Sequence, residues 1–168
     1  MKTLAEFLAH AVTLEEEAAE RYRELADVMR TQDNAPAADL FERLARASYL
    51  HAAEAAERAR VEGGVAELKP REYEWPGSES PESATLGEGH GTMTPSRVLR
   101  MALVAERTAE AFYRRAAERT DSAEVREMAL EFADAESGHM AEIERWIERY
   151  PKVDQHSDED SDPVTPRG

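Results

Sequence analysis

Apolar residues recur at alternating four- and three-residue intervals along four stretches of the chain. That spacing lays them on one face of an α-helix. The first stretch, about 3–30, runs Leu4, Leu8, Ala11, Glu15, Ala18, Tyr22, Leu25, Met29. The second, about 35–61, runs Ala37, Phe41, Leu44, Ser48, His51, Ala55. The third, about 95–119, runs Leu99, Ala102, Glu106, Ala109, Tyr113, Ala116. The fourth, about 122–149, runs Val125, Ala129, Phe132, Glu136, His139, Ile143, Trp146. The boundaries carry their own signals. Thr3 with Glu6 three residues on forms a capping-box pattern, and Asn34 or Asp33 caps the second helix ahead of Pro36. Gly63-Gly64 stops that helix; Thr94 with Pro95 opens the third; "TDSAE" opens the fourth, which closes before Pro151.

Short links, "TQDN" and "TDS", join helices one to two and three to four, so each pair is an antiparallel hairpin. Between the hairpins lies a 32-residue segment, 62–93, rich in Gly, Pro, Ser and Glu. A 27-residue helix is about 40 Å long, and a segment of this size can run back along it. Helices two and three can therefore lie parallel, as in bundles with one long crossover. The predicted fold is an all-α four-helix bundle, residues 1–150, with Tyr73 and Trp75 pinning the crossover to it. The segment 151–168 has five acids between Asp154 and Asp162 and reads as a disordered tail.

The polar exceptions on the stripes are Glu15, Ser48, His51, Glu106, Glu136 and His139. Glu15 is flanked by Glu16 and Glu17, yet it alone of the three is in phase. Each exception lies near the middle of its helix, and midpoints share a level in an antiparallel bundle. Six polar groups should therefore converge on one buried layer. A buried carboxylate costs several kcal/mol unless it is paired or bound to a metal. No Lys or Arg falls on a stripe, so one or two divalent cations are the natural partner. The competing reading is a metal-free polar layer. Tyr22 and Tyr113 read as core residues bonded through their hydroxyls to buried carboxylates, with a redox relay as the alternative. The methionines fill the core. His10 and His156 read as surface residues, and His90 as a residue that either folds over the site or lies apart from it.

Composition narrows the chemistry. The 168 residues carry a formal net charge of −15 and are 34% charged and 41% hydrophobic. So acidic a surface argues against nucleic acid or anionic lipid as a partner. No cysteine is present, which excludes disulfides, zinc–thiolate sites and iron–sulfur clusters. No run approaches a membrane span and acids interrupt the N-terminal segment, so a cytoplasmic protein is expected.

The two halves repeat. Glu15 and Glu106 each have Ala three residues later and Tyr seven later (Ala18 and Tyr22; Ala109 and Tyr113). Aligning His51 with His139 places Leu44 on Phe132, Ala45 on Ala133 and Ser48 on Glu136. Each half contributes one Glu, and the later half a Glu-x-x-His. On "EEEAAERY" with "ADLFERLARASYLHA", and "ERTAEAFY" with "MALEFADAESGHMAEI", the chain resembles the rubrerythrin type of the ferritin-like superfamily. The resemblance covers about 3–61 and 95–149.

The resemblance implies a bundle that holds iron, as one or two ions, with manganese or zinc as alternatives. It also implies oxidation of Fe(II) or reduction of peroxide or oxygen, a homodimer, and an external electron donor if Fe(II) is not the reductant. It assigns Glu15, His51, Glu106, Glu136 and His139 as metal ligands. The chain departs from the pattern at Ser48, where the family has a glutamate that bridges the metals, and at Ala109, where rubrerythrins have a further glutamate. Glu54, one turn after His51, substitutes only if the second helix rotates. Ser48 keeps a second reading open: a non-enzymatic helical module with a degenerate or mononuclear site serving a structural, sensory or interaction role.

Overall fold

The structure, a computed structural model, describes residues 3–63 and 93–150. Four helices follow one another: α1 Leu4–Thr31, α2 Ala35–Val61, α3 Pro95–Arg119 and α4 Ala123–Ile147. Each N-terminus is capped by a side chain that accepts from the third backbone N–H on: Thr3 from Glu6, Asn34 from Ala37, Thr94 from Arg97 and Ser122 from Val125. The capping sequences and prolines thus start the helices where the sequence places them. Asn34, rather than Asp33, is the cap of α2; Asp33 takes the left-handed turn, at φ 55°. Gly63 adopts φ 108° just beyond α2, a conformation that glycine enters without a Cβ clash.

Cross-bundle contacts fix the helix directions. Between α2 and α4, Arg43 pairs with Glu142 at 2.7 Å, His51 stacks on Phe132, and Arg58 pairs with Glu124. Ascending numbers on α2 meet descending numbers on α4, so the two are antiparallel. Between α1 and α3, Phe7 packs on Tyr113 while Tyr22 reaches Glu106, again antiparallel. With each hairpin antiparallel, α2 and α3 run parallel, the arrangement a long crossover permits.

The core is not continuous. One apolar cluster gathers Tyr22, Leu25, Met29, Phe41, Leu44, Leu99 and Ile143 with small neighbours. A second gathers Phe7, Leu8, Leu14, Phe112, Tyr113, Val125 and Phe132. The gap between them falls at Glu15 on α1, Ser48 and His51 on α2, Glu106 on α3, and Glu136 and His139 on α4. The polar exceptions form one level that divides the bundle into two apolar halves.

Three expectations need correction or qualification. His10 is a buried residue, not a surface one: it is 2% exposed, stacks on Phe112, and places Nδ1 2.7 Å from the Glu6 carbonyl. α1 packs against more than one neighbour, so its buried face is wider than a single stripe. Glu54 is exposed. Six residues beyond Ser48, it is turned about 120° away from it at about 100° per residue, and α2 stays in the register that points His51 inward. The third concerns the polar layer. Its carboxylates and Ser48 are buried, whereas His51 and His139 keep 20% and 14% of their side-chain surface exposed. Tyr73, Trp75, His90, His156 and the acidic tail lie outside the described residues.

Candidate metal centre

Each carboxylate of the polar layer is set by the helix that carries it. Glu15 lies between Leu14 and Ala18 on the buried face of α1, and Glu106 between Leu103 and Ala109 on α3. Glu136 follows Phe132 and Ala133 on α4, and His139 stands one turn later on the same face. Helical spacing of three brings these last two together, with His139 Nδ1 3.3 Å from Glu136 Oε2.

The tyrosines cross the bundle. Tyr113 of α3 donates to Glu15 Oε1 at 2.8 Å, and Tyr22 of α1 donates to Glu106 Oε1. Each tyrosine follows the glutamate of its own helix by seven residues and holds the glutamate of the other. One oxygen of each carboxylate is thereby oriented and the other left over. Glu15 Oε2 and Glu106 Oε2 are buried with no hydrogen-bond partner, and so is His51 Nδ1.

Two groups of donors emerge. One atom each from Glu15, His51 and Glu136 lie within 4.8 Å of one another, and so do one each from Glu106, Glu136 and His139. Glu136 belongs to both. A carboxylate has two oxygens, so Glu136 can serve both groups at once. Within the groups His139 Nδ1 lies 3.4 Å from Glu106 Oε2, and His51 Nδ1 lies 3.7 Å from Glu15 Oε1. Ligand atoms about 2.0–2.2 Å from a common ion are roughly 3–3.6 Å apart, so these spacings suit a shared cation. Among the described residues no arginine or lysine pairs with Glu15, Glu106 or Glu136. Arg21 is buried on α1 at 6% exposure.

The electrostatics match a site short of positive charge. Burial raises the Glu136 carboxyl well above the usual range, and the negative charge of Glu106, then that of Glu15, pushes the same way. Burial also opposes ionisation of Glu106. The neighbouring Glu136 carboxyl, the imidazole of His139 with its charge, and the Tyr22 hydroxyl outweigh it and leave Glu106 below the ordinary value. Burial lowers His139, but hydrogen bonding to Glu106 and the charges of Glu106, Glu15 and Glu142 raise it overall. Protons thus hold together a cluster whose carboxylates repel one another.

The residues fit a metal on two independent grounds. Buried carboxylate oxygens of Glu15 and Glu106 lack hydrogen-bond partners, and a cation would relieve the repulsion among the three carboxylates. The donors are carboxylate and imidazole without thiolate, a set that suits iron, manganese or zinc. All five ligand candidates from the sequence come together. Ser48 is buried at the same level; Glu54 is not part of the group.

Sequence reasoning placed His10 on the surface and passed over Arg21. A signal for both was present: Phe7, Leu14 and Arg21 are spaced by sevens, a second stripe beside the one through Glu15, and His10 lies between its first two members.

Comparisons with known proteins agree on the fold. The rubrerythrin family profile matches residues 6–88 and 97–166. Among solved structures, the chain is similar to an uncharacterised conserved protein from Magnetospirillum magnetotacticum MS-1. Identity is 39%, over 89% of this chain and 97% of that one, with a TM-score of 0.75. No curated protein matches. No described helix is long and apolar enough to cross a membrane. With no cysteine the chain lacks the ligands of a rubredoxin iron. On fold, internal repeat and profile together, this chain is a member of the rubrerythrin family of ferritin-like four-helix bundles.

Proposed function

We propose that the chain is a non-haem metal protein that holds two divalent ions, iron in the first instance, and uses them in oxidation–reduction. The observation that carries the reading is Glu136, shared by two donor groups in which Glu15 and Glu106 each keep a buried oxygen without a hydrogen-bond partner. Glu15 and His51 would hold one ion, Glu106 and His139 the other, and Glu136 both. Bound iron would supply one-electron chemistry, with Fe(II) as the reductant of peroxide or oxygen.

The protein's own part is positioning and access. Tyr113 and Tyr22 fix the carboxylates of Glu15 and Glu106: Glu106 turns its other oxygen to His139, and Glu15 keeps the tyrosine-bound oxygen beside His51. Apolar residues close both ends, and the partly exposed imidazoles of His51 and His139 mark the side from which a small oxidant reaches the centre. Fe(II) itself is the simplest electron source; an external donor protein is the alternative. A homodimer is proposed on family membership alone, and light scattering tests it.

Metal analysis with Fe(II)-oxidation and peroxide-consumption assays tests the function. Two irons per chain with turnover is the expected result. A chain that takes up neither Fe(II) nor Mn(II) would falsify the reading. Ser48 favours a second one, a mononuclear structural or sensory site, because α2 supplies no bridging carboxylate. One ion per chain without turnover would establish it.

A further inference from the structure

The internal repeat leaves one position unmatched. α4 supplies Glu136 and His139, and α2 supplies Ser48 and His51 at the same spacing. Ser48 is buried at 2% exposure, level with the cluster and flanked on its own helix by buried Ala45 and Ala52. A serine side chain is three heavy atoms smaller than a glutamate and carries no charge. Three heavy atoms with one negative charge describe a small monoanion such as formate.

Charge balance points the same way. Glu15, Glu106 and Glu136 bring three negative charges against four positive ones from two divalent ions. The centre is left at +1 inside an apolar bundle, where uncompensated charge is costly. Access is also on this side. Among the candidate ligands the carboxylates keep 4% or less of their side-chain surface exposed, while His51 and His139, on α2 and α4, keep 20% and 14%. Their rings lie 6.1 Å apart, centroid to centroid.

We propose that a small exogenous monoanion with two oxygen or nitrogen donors binds beside Ser48, between α2 and α4. There it would accept a hydrogen bond from the Ser48 hydroxyl and supply the negative charge that a two-ion centre lacks. The inference rests on the two-metal reading above. Its consequence is that the second ion binds tightly only with the anion, because each strengthens the other by the same factor.

The experiment is a Co(II) titration of the full chain in buffer free of small carboxylates, followed by visible absorption, with and without formate. Wild type is expected to show one tight site and one weak site. Formate should tighten the weak site at least tenfold and alter its absorption bands. Ser48→Glu should bind the second Co(II) tightly without formate and lose the response. Ser48→Ala, a smaller change that keeps the fold, should retain the response but weaken it several-fold. Two equally tight sites with no formate effect would overturn the anion site and leave the two-metal reading standing. One site even in formate, or no Co(II) binding at all, would overturn both.

Discussion

The Tyr113 hydroxyl donates to Glu15 Oε1 at 2.8 Å, linking residues 98 apart in sequence at the buried centre of the bundle. Tyr22 makes the mirror-image bond to Glu106. Partners that orient a metal ligand through its second atom typically contribute 10–100-fold to affinity. Tyr113→Phe should therefore weaken metal binding at the Glu15 side by about that factor, and Tyr22→Phe at the Glu106 side. Titration with Co(II) or Mn(II), monitored site by site, checks this; unchanged affinity in both variants would show that the hydroxyls serve packing alone.

Glu136 is the only candidate common to both donor groups, and its replacement should separate metal binding from stability. Glu136→Gln keeps the shape and removes the charge that Glu106 and Glu15 oppose. Loading should fall from two ions to one or none. At pH above the raised range of Glu136, where the wild-type side chain is charged, the metal-free variant should be more stable by about 1 kcal/mol, a rise of roughly 2–8 °C in Tm, and below that range the two should match. Metal analysis beside a thermal melt in chelator reads both, and a metal-free variant less stable than wild type would count against repulsion in the cluster.

The dependence on pH follows from the same groups. Glu136 and His139 are both raised in the folded protein. Their protonated forms therefore stabilise the fold at pH below their unfolded values, and this contribution is lost as pH rises through the folded ones. Glu106 is lowered, so its contribution is present above the ordinary glutamate range and is lost as pH falls through its folded value. Metal must displace the protons on Glu136 and His139, so affinity should rise with pH through their raised range and binding should release protons. Calorimetry in buffers of different ionisation enthalpy measures that release directly.

His10 offers a control away from the centre. Its ring is buried against Phe112 and tied to the Glu6 carbonyl. His10→Ala should cost about 2 kcal/mol of stability while leaving metal stoichiometry unchanged. A denaturant titration with metal analysis of the folded fraction distinguishes this from a role at the site.

Much of the molecule was legible from its sequence, for a physical reason. Helix starts are written in residues such as Thr3, Thr94 and Ser122, whose hydroxyls satisfy local backbone donors, so they read without tertiary information. The in-phase polar residues were legible because a carboxylate on a buried stripe contradicts its surroundings. Less visible was the width of each buried face. His10 and Arg21 lie on a second face of α1 that exists only because several helices pack around it. The partial exposure of His51 and His139 likewise depends on how closely α2 approaches α4, which no single helix encodes.

The two apolar clusters on either side of the carboxylate layer have a mechanical consequence. Each half holds only part of the chain's apolar side chains, and the level joining them is filled with mutually repelling groups until a cation enters. Without metal, one end of the bundle should loosen while the other stays closed, and amide hydrogen exchange should show two protection levels along every helix. With metal, four helices are tied at their midpoints and the two levels should merge into one. In this chain the ions proposed for the chemistry would also decide whether the bundle opens as one unit or as two.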